Sequence, residues 1–79
     1  MNASVHVRLR IAREVGGVRQ DDVAAELRTR GHKFSQCDLS HVESGIRPVS
    51  PALARQIGEA LIAIVETRLK AVKELLLAQ

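Results

Sequence analysis

The chain has 79 residues, of which 46% are apolar and only Phe34 is aromatic, and its formal net charge is +3. This length is enough for one domain with a small core and excludes an elaborate two-lobed active-site cleft. The longest uninterrupted apolar run, Ala60 to Val65, has six residues, whereas roughly 20 are needed to cross a bilayer, so a membrane-spanning helix is excluded.

The core must be built from Leu, Ile, Val and Ala, a mixture that favours an all-α fold. The single cysteine, Cys37, cannot form an internal disulfide, and the first residues lack the pattern of a signal peptide. We therefore expect a reducing, cytoplasmic compartment. Through Arg55 there are nine Lys or Arg and six Asp or Glu, whereas residues 56–79 contain three of each. This basic front portion is compatible with a polyanionic partner, and the alternative is a solvated arginine-rich surface.

The first two helices are bounded by clear capping and glycine signals. Apolar residues recur at helical spacing in "SVHVRLRIAREVGG", with Ser4 as a candidate N-cap and Gly16 and Gly17 as the end. The second helix, "QDDVAAELRTRG", has two acidic residues where the helix dipole favours them and Gly31 to terminate it. The apolar positions that define the face of the first helix are Val5, Leu9 and Ala12.

The third helix is predicted within "SQCDLSHVESG", residues 35 to 45. Ser35 is a candidate N-cap, and Asp38 stands three residues later, as in a capping box. Phe34 before the cap and Leu39 at the fourth helical position form a hydrophobic staple. Gly45 ends the helix.

The fourth helix begins after Ser50, an N-cap followed by Pro51 at the first helical position. No further proline occurs up to Ala78, so we expect one long helix, although a break near residue 62 stays an alternative. Its core-facing stripe consists of Leu53, Ile57, Leu61 and Ile64. A second stripe, with the alternating spacing of three and four typical of coiled coils, consists of Ile62, Val65, Leu69, Val72 and Leu76. Because a monomer has little left to cover the second stripe, we predict a homodimer joined through this helix; the alternative is a helix end that folds back.

The polar residues of the third helix suggest three interpretations. Cys37 and His41 lie four residues apart on one helix face, yet an exposed helix offers no water-excluding pocket, which argues against nucleophilic catalysis. A zinc site needs about four ligands, whereas the chain has one cysteine and no recognised finger spacing among its histidines, so no metal or other cofactor is predicted. If Leu39 and Val42 are buried, short polar side chains point outward, as suits a helix that reads base edges in a DNA major groove. An ordinary amphipathic surface helix is the alternative.

Two stretches together, "LRIAREVGGVRQDDVAAEL" and "SQCDLSHVESGIRPVSPALARQIGEAL", resemble the helix-turn-helix domain of the lambda repressor and Cro (XRE-like) family. The resemblance covers roughly residues 8 to 61. It implies a helix-turn-helix domain of four to five helices over residues 1–61, followed by a helical extension over residues 62–79 that would serve dimerisation. It also implies a protein that is not an enzyme.

The resemblance assigns roles residue by residue. The side chains that would face bases are Gln36, Cys37, Ser40 and His41, with Gln36 suited to adenine. The contacts to backbone phosphates would come from Gln20, Arg19, Arg28, Arg30, Lys33, Ser44 and Arg47. Gln20 would also buttress the start of the third helix. Arg13 and Glu43 match the family's structural ion pair.

Two departures from the family concern the second helix. Arg19 stands where a capping serine or threonine is usual, so the helix loses a side-chain cap. Seven residues, "RTRGHKF", separate Leu27 from Ser35, a longer connection than the family commonly has. This connection would either grip phosphates or form a solvated loop.

The function expected from this resemblance is a cytoplasmic, nucleoid-associated regulator that binds double-stranded DNA as a homodimer and represses from a palindromic operator of bacterial, phage or plasmid origin. One alternative is an antitoxin of the same fold, whose last helix would bind a toxin and which also represses its own operon. Another is a protein-interaction module that has lost DNA binding.

Overall fold

The computed structural model describes residues 4–78. Over this range the chain forms four α-helices and no strand: α1 (Val5–Val15), α2 (Gln20–Thr29), α3 (Gln36–Glu43) and α4 (Pro51–Leu77). The prediction of an all-α fold with a long C-terminal helix is therefore confirmed. None of the helices in the described range is long and apolar enough to span a membrane.

The core lies where α2, α3 and α4 meet, and each of these helices buries one apolar face. The helix α1 packs across α3 and α4 but has no buried residue of its own. Of its predicted apolar face only Leu9 packs against the core, whereas Val5 and Ala12 are exposed. The buried cluster consists of Val18, Val23, Leu27, Phe34, Leu39, Val42, Ile57, Ala60 and Leu61.

The long helix α4 runs without a break through residue 62 and ends at Leu77. Its 27 residues correspond to about 40 Å at roughly 1.5 Å per residue. Ser50 begins it as predicted, since its hydroxyl accepts a hydrogen bond from the Leu53 amide at 3.1 Å. The first half of α4 contributes Ile57 and Leu61 to the core, whereas every residue from 66 to 78 is exposed. We call residues 62–77 the distal segment.

The chain reverses after α2 in a turn that needs glycine. Gly31 has a φ of +90°, a left-handed conformation that side chains with a Cβ disfavour. Its amide donates to the Arg28 carbonyl and the His32 amide donates to the Leu27 carbonyl, both at 3.0 Å. This pair of bonds is a Schellman motif, which satisfies carbonyls at the helix end. The turn directs the connection back toward the start of α3.

Two glycine substitutions should therefore change stability in opposite directions. Gly31→Ala is expected to lower the free energy of unfolding by about 1 kcal/mol because alanine is strained at positive φ. Gly58→Ala should raise it by about 0.5–1 kcal/mol, since alanine is the better residue inside a helix, and the added Cβ of Gly58 would meet no atom within 4 Å. Urea unfolding at one protein concentration measures both. Equal shifts in the two variants would contradict the role of the Gly31 turn.

Candidate nucleic-acid interface

The helix α3 presents a polar face to solvent. Leu39, Val42 and Glu43 are buried on its inner side. Gln36, Cys37 and His41 are exposed, and Ser40 is half-buried. The four residues predicted to read bases thus lie on one short helix, three of them fully accessible to a ligand. Their side chains offer hydrogen-bond donors and acceptors with no excess of like charge.

The start of α3 is held by a complete capping box. The Ser35 hydroxyl accepts a hydrogen bond from the Asp38 amide at 3.1 Å, and the Asp38 carboxylate accepts one from the Ser35 amide at 2.8 Å. Phe34 and Leu39 are both buried, as the predicted hydrophobic staple requires. The hydrogen bond from the Ser35 amide, with the charge of Arg47 nearby, holds the pKa of the Asp38 carboxyl below its usual value. These contacts fix where the helix begins and which face it turns outward.

The lowered pKa of Asp38 predicts an acid-sensitive contribution to stability. A carboxyl whose pKa is lower in the folded state stabilises the fold above its unfolded pKa, about 3.9, and loses that contribution as the pH falls through the folded value. We therefore expect the free energy of unfolding to drop below about pH 4 in the parent protein. In Asp38→Asn, which cannot ionise, this drop should be smaller. Urea titrations at neutral and acid pH compare the two proteins, and identical pH profiles would contradict the assignment.

Two glutamine side chains link α2 to α3. The Gln36 amide nitrogen donates to Gln20 Oε1 at 2.6 Å, and the Gln20 amide nitrogen donates to Glu43 Oε1 at 3.0 Å. Gln20 therefore lies between the first and last residues of α3, where the resemblance implies a buttress. Gln36 keeps its Oε1 and one N–H for another partner, because only one of its two amide hydrogens is used.

A buried ion pair ties α1 to the end of α3. Arg13 donates to Glu43 through Nε at 2.7 Å and through Nη2 at 2.9 Å, and its Nη1 donates to the Val18 carbonyl at 2.9 Å. Glu43 is 4% exposed. The hydrogen bonds to Glu43 raise the pKa of the Arg13 guanidinium, so Arg13 keeps its positive charge beside Glu43. Its bidentate geometry sets the position of α3 relative to α1.

The residues predicted to contact phosphates lie around α3, but several already have partners within the chain. The Arg28 guanidinium donates to the Phe34 carbonyl at 3.0 Å, which clamps the long connection to the end of α2. Arg30 pairs with Glu26 at 2.9 Å. Lys33 is exposed and forms no ion pair with a residue in the described range. The connection is thus an ordered segment that leaves the Lys33 ammonium open to a phosphate.

The remaining predicted phosphate contacts flank the two ends of α3 and the start of α2. Arg47 lies 3.4 Å from Asp38 and stacks 5.4 Å from the centre of the Phe34 ring. The Ser44 hydroxyl donates to the His41 carbonyl at 3.2 Å. Arg19 is exposed beside the start of α2, and its guanidinium is 3.9 Å from the carboxylate of Asp22. Exposed ion pairs of this kind contribute little free energy, so little would be lost if these side chains exchanged them for a phosphate.

The helix α2 keeps an ordered N-terminus without a serine or threonine cap. The Arg19 amide donates to the Asp22 carboxylate at 3.2 Å, which is one half of a capping box; the other half is missing, because the Arg19 guanidinium cannot accept a hydrogen bond from the helix. Arg68 of α4 reaches the same carboxylate at 3.0 Å and the Gly17 carbonyl at 3.1 Å. The Arg19 amide first, and then Arg68, lower the pKa of Asp22. The role of Arg68 could not be predicted from the sequence, because no local pattern joins residues so far apart in the chain.

An open polar cleft lies beside α3. Its walls are formed by the end of α1, the first turn of α2 and the start of α3. The N-terminus of α2 contributes the positive end of its helix dipole there, which favours an anion. The cleft is lined by Arg13, Glu14, Gly17, Val18, Arg19, Gln20, Asp21 and Gln36. Arg19 and Gln20, which are predicted to contact phosphate, and Gln36, which is predicted to read a base, therefore border one surface.

The side chains of Cys37 and His41 lie together on the exposed face of α3, with the sulfur 3.9 Å from Nε2. Across residues 4–78 no group of three or more His, Cys, Asp or Glu side chains is placed to hold a metal ion.

A second exposed surface is apolar and lies on the distal segment. Ile62, Leu69, Val72 and Leu76 are 57, 51, 49 and 78% exposed. Val65 differs from the other members of the predicted dimer stripe, because it is half-buried and packs against the core of its own chain. The sequence analysis also missed an adjoining apolar groove between α1 and α4, which is lined by Ala12, Val15, Gly16, Leu61, Ile62, Val65 and Glu66.

Comparisons of the chain with protein-family models, with curated proteins and with solved structures find no match.

Proposed function

We propose that this protein is a sequence-specific regulator that binds double-stranded DNA through a lambda-repressor-like helix-turn-helix domain, with α2 and α3 as the two helices of the motif. It would act as a homodimeric repressor at a palindromic operator. The observation that carries this proposal is the arrangement of α3: its apolar residues are buried, its polar residues are exposed, and Gln20 holds the side chain of Gln36 at the surface.

Gln36 is the residue best prepared for a base. Bidentate recognition of adenine needs one acceptor and one N–H donor on the same amide. The contact with Gln20 leaves Gln36 with both groups. Because Gln20 is itself held by Glu43, the Gln36 amide is oriented before any ligand arrives, which lowers the entropic cost of binding.

The basic residues around α3 support the affinity of the same surface. Arg19 and Arg47 flank it, and Lys33 stands on the connection between α2 and α3. Such groups contact the phosphate backbone and do not read sequence, so they fix the register of the base-facing helix. We therefore expect binding to weaken with salt, with a log-log slope of about −0.9 for each phosphate neutralised.

Variants of Gln36 and Lys33 should separate these two roles. Gln36→Ala is expected to reduce preference by about 1–3 kcal/mol at one base pair in each half-site, because the amide pairing is lost. Lys33→Ala should weaken binding to all sequences alike and lower the salt slope by about 1. Fluorescence anisotropy on operator and random duplexes over a range of salt concentrations measures both effects. Two variants with the same profile on both DNAs would contradict the assignment of roles.

Selection of the purified protein against random duplex DNA at moderate salt tests the proposal as a whole. Enrichment of an inverted repeat is the expected result, with half-sites separated by about one helical turn, roughly 34–36 Å, or a multiple of it. If the folded protein enriches no sequence, the proposed function is wrong, and the exposed apolar surface of the distal segment then favours the protein-interaction module, with a toxin among its possible partners.

A further inference from the structure

Within the apolar stripe of the distal segment, the spacing from Val65 to Leu76 is the same in both directions. Val65, Leu69, Val72 and Leu76 are separated by four, three and four residues. When two such helices pair antiparallel about a point between residues 70 and 71, Val65 meets Leu76 of the other helix and Leu69 meets Val72. All four positions are then paired in layers, as coiled-coil packing requires.

The apolar groove between α1 and α4 lies at one end of this stripe. Val65 and Ile62 line it from α4, and Val15 lines it from α1 with 83% of its surface exposed. At the other end of the stripe, Leu76 is 78% exposed. In the antiparallel register Leu76 of a second copy arrives beside Val65, and it would enter this groove. A parallel pair would instead place Leu76 against Leu76, so Leu76 would not reach the groove of the other copy.

The charges beside the stripe also distinguish the two orientations. Glu66 and Lys73 are seven residues apart, so they lie two turns apart on the same flank. In an antiparallel pair this flank lies against the same flank of the second copy, which runs in the opposite direction. Glu66 therefore lies near Lys73 of the second copy. In a parallel pair the flank of Glu66 and Lys73 lies against the other flank of the second copy, the one that carries Arg68. Lys73 then lies near Arg68 of the second copy. Flanking charges of this kind set the orientation of paired helices.

Arg68 is already engaged with its own chain. It donates to the Gly17 carbonyl and to Asp22 at 3.1 and 3.0 Å. Arg68 is itself exposed, but its guanidinium is held by the domain, whereas Glu66 and Lys73 are exposed and form no ion pair within residues 4–78. This arrangement leaves the flank of Glu66 and Lys73 open to a second copy.

We propose that the distal segment docks a second copy of this chain in antiparallel orientation, with Leu76 of each copy seated in the groove between α1 and α4 of the other. This inference rests on the homodimer of the proposed function and adds its orientation, its register and the contribution of α1.

Charge variants measured without DNA test the orientation. Glu66→Lys and Lys73→Glu should each raise the dimer dissociation constant about tenfold at low ionic strength, because each places like charges together in both symmetric contacts. The double variant should restore the parent value. Sedimentation equilibrium measures all four proteins. A tighter dimer in Lys73→Glu would overturn the proposal, because it is the result expected of a parallel pair, in which the introduced carboxylate would meet Arg68 of the second copy.

Disulfide trapping gives a second test that does not depend on charge. In a Cys37→Ser background, Leu76→Cys should form no disulfide with itself, because antiparallel pairing separates the two positions by eleven residues, about 16 Å along the helix. A mixture of Val65→Cys and Leu76→Cys proteins should form the mixed disulfide. Rapid self-linkage of Leu76→Cys would overturn the proposal. Both tests report on dimer geometry alone, so failure of DNA binding would remain a separate result.

Discussion

Glu43→Ala is expected to lower the free energy of unfolding by about 3–5 kcal/mol. Glu43 is almost fully buried and accepts hydrogen bonds from Arg13 and Gln20. Removing its carboxylate leaves the Arg13 guanidinium, whose side chain is only 15% exposed, without an opposite charge. A domain of this size has a total stability of roughly 4–12 kcal/mol, so the variant should be close to unfolding.

Glu59→Ala is the matched control, because Glu59 also pairs with an arginine but at the surface. The distance from Arg55 to Glu59 is 3.8 Å, and the two side chains are 68 and 57% exposed. An exposed pair contributes about 0–1 kcal/mol, so this variant should melt near the parent. Thermal unfolding should separate the two variants by more than about 10 °C. Coincident melting curves would contradict the structural role of the Arg13 to Glu43 pair.

Glu43→Gln separates the effect of charge from that of shape. The amide keeps the length of the side chain and an acceptor oxygen but removes the negative charge opposite Arg13. We expect it to melt between Glu43→Ala and the parent. The same change should weaken the hydrogen bond from Gln20 to residue 43. The Gln20 side chain, and the Gln36 amide that donates to it, should then be less firmly oriented. A Glu43→Gln protein that is still folded should therefore lose sequence preference more than affinity for random DNA.

The features that could be predicted from local spacing are those whose partners lie within about five residues, whereas the pair of Arg13 and Glu43, 30 residues apart, was expected only from the resemblance to the lambda repressor and Cro family. The capping box of Ser35 and Asp38, the staple of Phe34 and Leu39 and the turn at Gly31 depend only on local spacing, and the structure confirms all three. Local hydrogen bonds and glycine conformations are encoded by residue type at short range, which explains this success.

Contacts between distant parts of the chain could not be predicted in this way. Arg68 and Asp22 are 46 residues apart in sequence, and no periodicity connects them. The clamp from Arg28 to the Phe34 carbonyl uses a backbone acceptor, which every residue supplies and which therefore carries no sequence signal. The long connection could be predicted to exist, but its ordered path could not.

The accessible surface of α1 was also beyond prediction from periodicity. Its apolar residues occur at positions 5, 7, 9, 11, 12 and 15, and such a distribution covers more than one helix face. Because packing alone decides which face is covered, Val15 could not be recognised as exposed. The groove that it forms with α4 therefore emerged only from the structure.

Leu69→Lys is expected to convert the protein to a monomer without unfolding it. Leu69 is 51% exposed and belongs to the distal segment, none of whose residues is fully buried. Lysine would place two charges in the paired stripe and remove two leucine contacts, each worth roughly 1.5–3 kcal/mol when fully buried. Light scattering should therefore report the mass of one chain, whereas circular dichroism should retain a cooperative unfolding transition.

Leu77→Lys is the matched control, because Leu77 is 75% exposed and lies outside the stripe. It introduces the same side chain into the same helix and should leave the dimer intact. If Leu69→Lys remained a dimer at the concentration where Leu77→Lys does, the distal segment would not be the interface. Because Leu69 occupies the stripe in either orientation, this result is independent of the antiparallel arrangement.

The loss of the dimer should appear in DNA binding as a loss of avidity. Two linked half-site contacts strengthen binding by about 10²–10⁴-fold over one, provided that both are engaged at once. Leu69→Lys should therefore bind an inverted repeat and a single half-site with nearly equal affinity, whereas the parent and Leu77→Lys should prefer the inverted repeat. The residual preference of the monomer for its half-site over random DNA would come from α3 alone. A monomer that kept full affinity for the inverted repeat would show that the two half-sites are read independently.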